Sequence, residues 1–194
     1  MKKTAIFIFF LFIIKIGLTQ SEDYKSSISL NFGYSFAEEL LVGSAVNEIS
    51  TNALPVVLIG YDYQINKRFS IGAAASSQVL YLNYSNYGSN QDDFKITYII
   101  NTYTARGLVH YALDYKIKMY SGLRLGAVDY MAYTKYNSFE ERLSTDFAMT
   151  KPFDIAIQTI LLGMHTKLTD RLGANMEICA GQPYFVSLGL TYSL

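Results

Sequence analysis

At 194 residues the chain has the length of one domain. It is 51% hydrophobic but only 16% charged, and 16 basic residues balance 16 acidic ones. This excludes the basic stripe of a nucleic-acid binder. The single Cys179 excludes an internal disulfide, and beyond the N-terminus no run of about 18 apolar residues offers a transmembrane helix.

Residues 1–20 have the form of a signal peptide. Met1-Lys2-Lys3 is a basic start, Ala5 to Ile14 is unbroken apolar sequence, and Thr19 or Gln20 lies near the expected cleavage point. The run is too short to span a bilayer as a helix. Residues 21–194 then form the expected mature domain.

Eight segments of that domain alternate with period two, and helical periodicity is weak throughout. Segment 27–36 sets Ile28, Leu30, Phe32, Tyr34 and Phe36 against Ser29, Asn31, Gly33 and Ser35. Segment 55–65 sets Val57, Ile59, Tyr61 and Tyr63 against Gly60, Asp62 and Gln64. Segment 69–83 begins with Phe69, Ile71, Ala73 and Ala75 against Ser70, Gly72, Ala74, Ser76 and Gln78. Segment 99–115 opposes Tyr103, Ala105, Val109, Tyr111, Leu113 and Tyr115 to Thr104, Arg106, His110 and Asp114. Segments 119–133, 153–168, 172–181 and 184–194 complete the series. The alternation slips near Asp129 and Ile160, which predicts a bulge in each of those strands.

In the last segment Tyr184, Val186, Leu188, Leu190, Tyr192 and Leu194 share one face, and small or polar residues occupy most of the other. An aromatic at each end of an apolar face, backed by a polar face, is the pattern of a strand with lipid outside and a polar lumen inside. Short turns at 66–68, 116–118 and 169–171 alternate with longer polar loops at 37–54, 84–95 and 134–152, and a fourth, very short loop at 181–183 completes the loop side. The long loops carry Glu38, Glu39, Glu48, Asp92, Asp93, Glu140, Glu141 and Asp146. Both termini fall on the short-turn side, as in an even-stranded outer-membrane barrel. The expected fold is all-β: an eight-stranded antiparallel up-and-down transmembrane β-barrel. A soluble lipocalin-like barrel is the architectural alternative, but it would put its apolar face inside.

The chain resembles the small eight-stranded outer-membrane barrels of the OmpA transmembrane-domain and OmpX kind, over nearly all of the mature domain. The most specific element is the C-terminal strand. With Tyr192 two before the end and Leu194 last, it is similar to the signal read by the barrel-assembly machinery, although Leu194 stands where such signals usually carry Phe. The resemblance implies a monomer in the cell outer membrane. Its partners would be lipid and lipopolysaccharide, the assembly machinery during biogenesis, and an extracellular or envelope protein at the loops.

The lumen is the candidate site. Arg106, His110 and Asp114 are spaced about 13 Å apart along one strand, so their partners must come from other strands. A hairpin centred on Ile117 sets His110 beside Arg124, and Glu177 reaches a similar height. We therefore expect a middle layer of Arg124, Glu177 and His110, with Asp62 and Asp114 below it and Arg106, Gln78 and Gln158 above. Opposite charges at one level can satisfy each other in so narrow a barrel. The reading is structural, with a pore or a lipid-modifying enzyme as alternatives. His110-Tyr111-Ala112 and His165-Thr166-Lys167 lack the His-x-Ser-Asn element of lipid A deacylases, and no Asp-Ser pair answers to a palmitoyltransferase. No catalytic, metal-ligating or cofactor-binding set stands out. Asp92-Asp93 and Glu140-Glu141 read as solvated loop surface.

Overall fold

The computed structural model describes residues 25–35, 49–87, 92–111, 117–136 and 148–194. The expected signal peptide, Asp114 and most of the acidic loop residues lie outside them. The described strands are β1 (Ser26–Tyr34), β2 (Ile49–Ala53), β3 (Val56–Gln64), β4 (Phe69–Tyr87), β5 (Asp92–Tyr111), β6 (Ile117–Tyr136), β7 (Ala148–Lys167), β8 (Leu172–Gly181) and β9 (Val186–Ser193).

All pairings are antiparallel. β1 joins β3 on one side and β9 on the other, the order runs on through β8, β7, β6 and β5, and pairing of β5 with β4 closes the ring. β2 is no ninth stave. It follows the same edge of β4 as β3, with Ala53 opposite Leu80 and Val57 opposite Ser77. The line breaks at Pro55, which has no N–H to give, while Leu54 N still donates to Val79 O at 2.9 Å. The result is a closed eight-stranded barrel.

The alternation decides which way the barrel faces. Phe32 is 54% exposed and Leu188 60%, while Asn31 between β3 and β9 is 0% exposed and Ser187 2%. Apolar side chains cover the outside and polar ones are shut inside, the reverse of a soluble β-barrel. The lumen is not purely polar, however. Val56, Leu58, Leu108, Ile160 and Cys179 also point inward and form one apolar cluster with Ala74, Tyr120 and Tyr184.

The staves differ in length. β1, β3 and β9 have 9, 9 and 8 residues, roughly 22 Å along the normal at a tilt of about 40°, close to the ~25 Å apolar band of a membrane barrel. β4 to β7 have 19 or 20, about twice that reach. The sequence segments 84–95 and 134–152, expected as loops, are therefore partly strand. β4 runs to Tyr87, β5 starts at Asp92, β6 runs to Tyr136 and β7 starts at Ala148. Residues 49–53 of the expected first loop are β2. Along this extension the inward residues turn apolar: Leu80, Ile100, Val128 and Ala156 pack with Ala53, Tyr98 and Tyr130 in a second cluster.

Both phase slips correspond to irregularities of β7. Tyr120 pairs with Gly163 but Gly122 with Ile160, and β8 skips a β7 residue at the same place. The extra residue is Leu161, which points outward. The second shift flanks Asp129, where Val128 pairs with Asp154 and Tyr130 with Lys151, so the spare residue lies on β7 and not on β6.

Candidate functional site

Two connections in the chain decide the interior, and strand alternation reads neither. The β5–β6 hairpin is the first. Arg106 faces Arg124 and His110 faces Tyr120, four residues from the expected register. Ile117 and Lys118, taken as turn residues, already belong to β6. A shift of four keeps every side chain on its own face, so only the turn position could have fixed it. The second is the start of the last strand. The β8–β9 ladder ends at Ile178 opposite Val186. Tyr184 lies before it, beyond Gly181 with its left-handed φ of 100°. It is not an outward girdle residue as expected. Its ring turns into the lumen, where it is 0% exposed.

These placements converge on Glu177 of β8, 1% exposed. Arg124 Nη2 donates to Glu177 Oε2 at 2.7 Å, and the Tyr184 hydroxyl donates to the same oxygen. Tyr120 OH donates to Oε1 at 2.9 Å, with Arg106 Nη1 3.9 Å from that oxygen. Arg124 Nη1 also donates to Gln158 Oε1 at 2.5 Å, and Gln158 Nε2 donates to Tyr184 O at 2.6 Å. Beside this group, Arg106 Nε and Nη2 donate to the two oxygens of Asp62. Asp62, Gly72, Arg106 and Arg124 follow one another across β3, β4, β5 and β6. Two arginines on neighbouring strands are thus matched by two carboxylates within one layer.

Both tyrosines are seated on glycines. A Cβ on Gly33 would lie 2.6 Å from Tyr184 Cγ, and one on Gly163 would run into the Tyr120 ring. Glycine in a strand here makes room for an aromatic ring laid against the wall.

Of the residues expected in the layer, Arg124 and Glu177 meet directly. Arg106 and Asp62 meet each other at the same level and not above and below it. His110 is not in the layer. It lies toward the short-turn end, sharing a 2.8 Å hydrogen bond with Ser70 Oγ and standing 5.6 Å from the Tyr120 ring. Asp114 lies outside the described residues. Tyr120 and Tyr184 were missed. Tyr184 had been placed outside because strand parity was carried through a turn, and Tyr120 became legible only once the hairpin register was known.

Chemically the layer is a set of paired charges. Glu177 accepts from three donors, which leaves no basic carboxylate poised for proton transfer. Ser70 and His110 are within reach of one another, but both oxygens of Asp62 are held by Arg106, so this carboxylate does not orient the imidazole as an activated triad requires. Among the described residues no group of three or more His, Cys, Asp or Glu is arranged to hold a metal ion.

Fold and interior together define a closed eight-stranded antiparallel barrel with an apolar outer wall and an ion-paired interior. Solved structures similar to it are small outer-membrane barrels, the class that the sequence pattern resembles. The N-terminal β-barrel domain of Pseudomonas aeruginosa OprF is 12% identical at a TM-score of 0.48, covering 89% of this chain and 98% of that one. OprG of Pseudomonas aeruginosa is 8% identical at 0.48, covering 88% and 90%. Ail, the attachment invasion locus protein of Yersinia pestis, is 14% identical at 0.45, covering 87% and 94%. With scores this low, the fold rests on the chain's own strand register. No protein-family model matches the chain, and no curated protein sequence does.

Proposed function

We propose that this chain is a monomeric integral protein of the outer membrane, exported by its N-terminal signal peptide. Its role on this reading is structural or surface-interacting, with the lumen closed by the Arg124–Glu177 and Arg106–Asp62 layer. The observation that carries the proposal is the inverted wall: a row of apolar residues turned outward around the barrel, with the charged and most of the buried polar side chains turned inward. A closed ring leaves no strand edge for self-association, which favours a monomer. Lipid and lipopolysaccharide are then the partners of the wall, and the long-loop end is the surface for an extracellular or envelope protein. The outward row Val186, Leu188, Leu190, Tyr192 and Leu194 is exposed along β9. It supports an assembly signal ending at Tyr192 and Leu194.

Two measurements test this. Electrophoresis of outer-membrane fractions should give a band that shifts on boiling, as a barrel that resists detergent does. A protein recovered without detergent and showing no shift would refute the membrane location. In planar bilayers the purified protein should show no steady conductance, because paired charges and tyrosines fill the lumen at the layer. Stable single-channel currents would replace the closed reading with a narrow pore.

A further inference from the structure

Below the ion-paired layer, at the end where β1 begins and β9 finishes, the lumen opens into a cavity of about 120 Å³. This approaches the ~150 Å³ of an engineered cavity that holds benzene, so a small solute fits. Its ionisable lining is one-sided. Lys25 precedes β1, Lys118 lies on β6 and Lys167 on β7, and His110 and His165 join them from β5 and β7. The one carboxylate among the described lining residues is Asp62, already held by Arg106 through both oxygens. The layer above is balanced, two arginines against two acids. Lys118 and Lys167 have neighbours of their own, but an ammonium carries three donors, so contact with one neighbour leaves others to give.

A second feature points the same way. Ser29, 2% exposed, and Asn175 line the cavity, and the Ser29 hydroxyl and Asn175 Oδ1 have no hydrogen-bond partner. A hydroxyl can donate to an anion's oxygen. Three cations from three parts of the chain, a hydroxyl donor and a concave wall make up the donor set of an oxyanion site. We infer that this mouth binds a small oxyanion, of the phosphate or carboxylate class, delivered as a free solute from the short-turn side.

The test is calorimetric titration of inorganic phosphate into the full-length folded barrel in phosphatidylcholine nanodiscs. Saturable binding is expected. Lys118→Gln with Lys167→Gln should weaken it by about tenfold or more, equivalent to about 1.4 kcal/mol. Lys67→Gln with Arg68→Gln, on the exposed turn outside the cavity, should leave affinity within about twofold. Folding of each variant is read from its heat-shifted band. Should the cavity pair fail to fold, Lys25→Gln alone sits before the first strand and should still weaken binding several-fold. Discs containing phosphatidylglycerol should give the same affinity, since the cavity lies inside the strand wall. No saturable uptake at millimolar phosphate would overturn the site, as would equal losses in both variant pairs. Competition by the glycerol-phosphate lipid would reassign it to headgroups and overturn it as stated.

Discussion

Glu177 gathers side chains from β5, β6 and the segment before β9 around one carboxylate, and its energetics follow from burial. Ions taken out of water lose solvation that only close partners return. Arg124 and Glu177 are 0% and 1% exposed, so removing either leaves the other charged and buried without its closest counter-charge. Arg124→Ala and Glu177→Ala should each cost about 3–5 kcal/mol in urea unfolding from lipid. The double variant should cost less than the two together, with a coupling of about 0.5–3 kcal/mol. Strict additivity would mean that the pair does not form. Tyr120→Phe removes one hydrogen bond to a charged group and should cost about 1.5–3 kcal/mol. Gly163→Val drives a branched side chain into the Tyr120 ring and should cost about 1–3 kcal/mol by overpacking. If the valine variant matched wild type in the same unfolding assay, the ring would not be seated there. At this scale the structure buries Arg124, Glu177 and Arg106 in the lumen, and such faces are legible in a sequence because parity is a local property of each strand. The ranking of heights read from the sequence, with Asp62 below the layer, Arg106 above it and His110 within it, does not match the structure, because height depends on turns.

Each strand speaks clearly about its faces and poorly about its ends. β1 and β9 were legible nearly residue by residue, since their outward rows are aromatic and branched and their inward rows small and polar, and β3 likewise from Gly60 on, its inward Val56 and Leu58 being apolar. The extensions of β4 to β7 were not. There the inward face becomes Leu80, Ile100 and Val128, the soluble-type pattern, and polar residues move outward, so the reading that finds a membrane strand stops at the interface. Pro55 likewise looked like a strand start when it is an interruption between β2 and β3. The bulge at Leu161 gives a sharp element-scale prediction. Deleting Leu161 makes β7 alternate without a slip and keeps Ile160 and Gly163 inward, so the heat-shifted band should survive. Inserting one alanine between Gln158 and Thr159 turns the strand's outer half over, exposing Gln158 to lipid, and should abolish the band. A lost band on deletion would show that the bulge is needed to bend the wall closed.

For the whole molecule, closure matters most. β4 pairing with β5 removes the last free edge, and the apolar outer wall then has one compatible surroundings, a lipid layer about as thick as the short staves are tall. The long side of the barrel carries its own apolar interior above that layer and needs no lipid there. The barrel type was legible from alternation plus the rhythm of short and long connections. The asymmetry between its two sides was not, because it resides in strand pairing beyond the membrane band. The most direct test of the inverted wall uses spin labels at Leu30→Cys and Phe32→Cys in a Cys179→Ser background, in nanodiscs. Both labels should relax readily with oxygen, which dissolves in lipid, and poorly with a water-soluble nickel complex. Strong relaxation by nickel at both sites would put this face in water and contradict the membrane barrel.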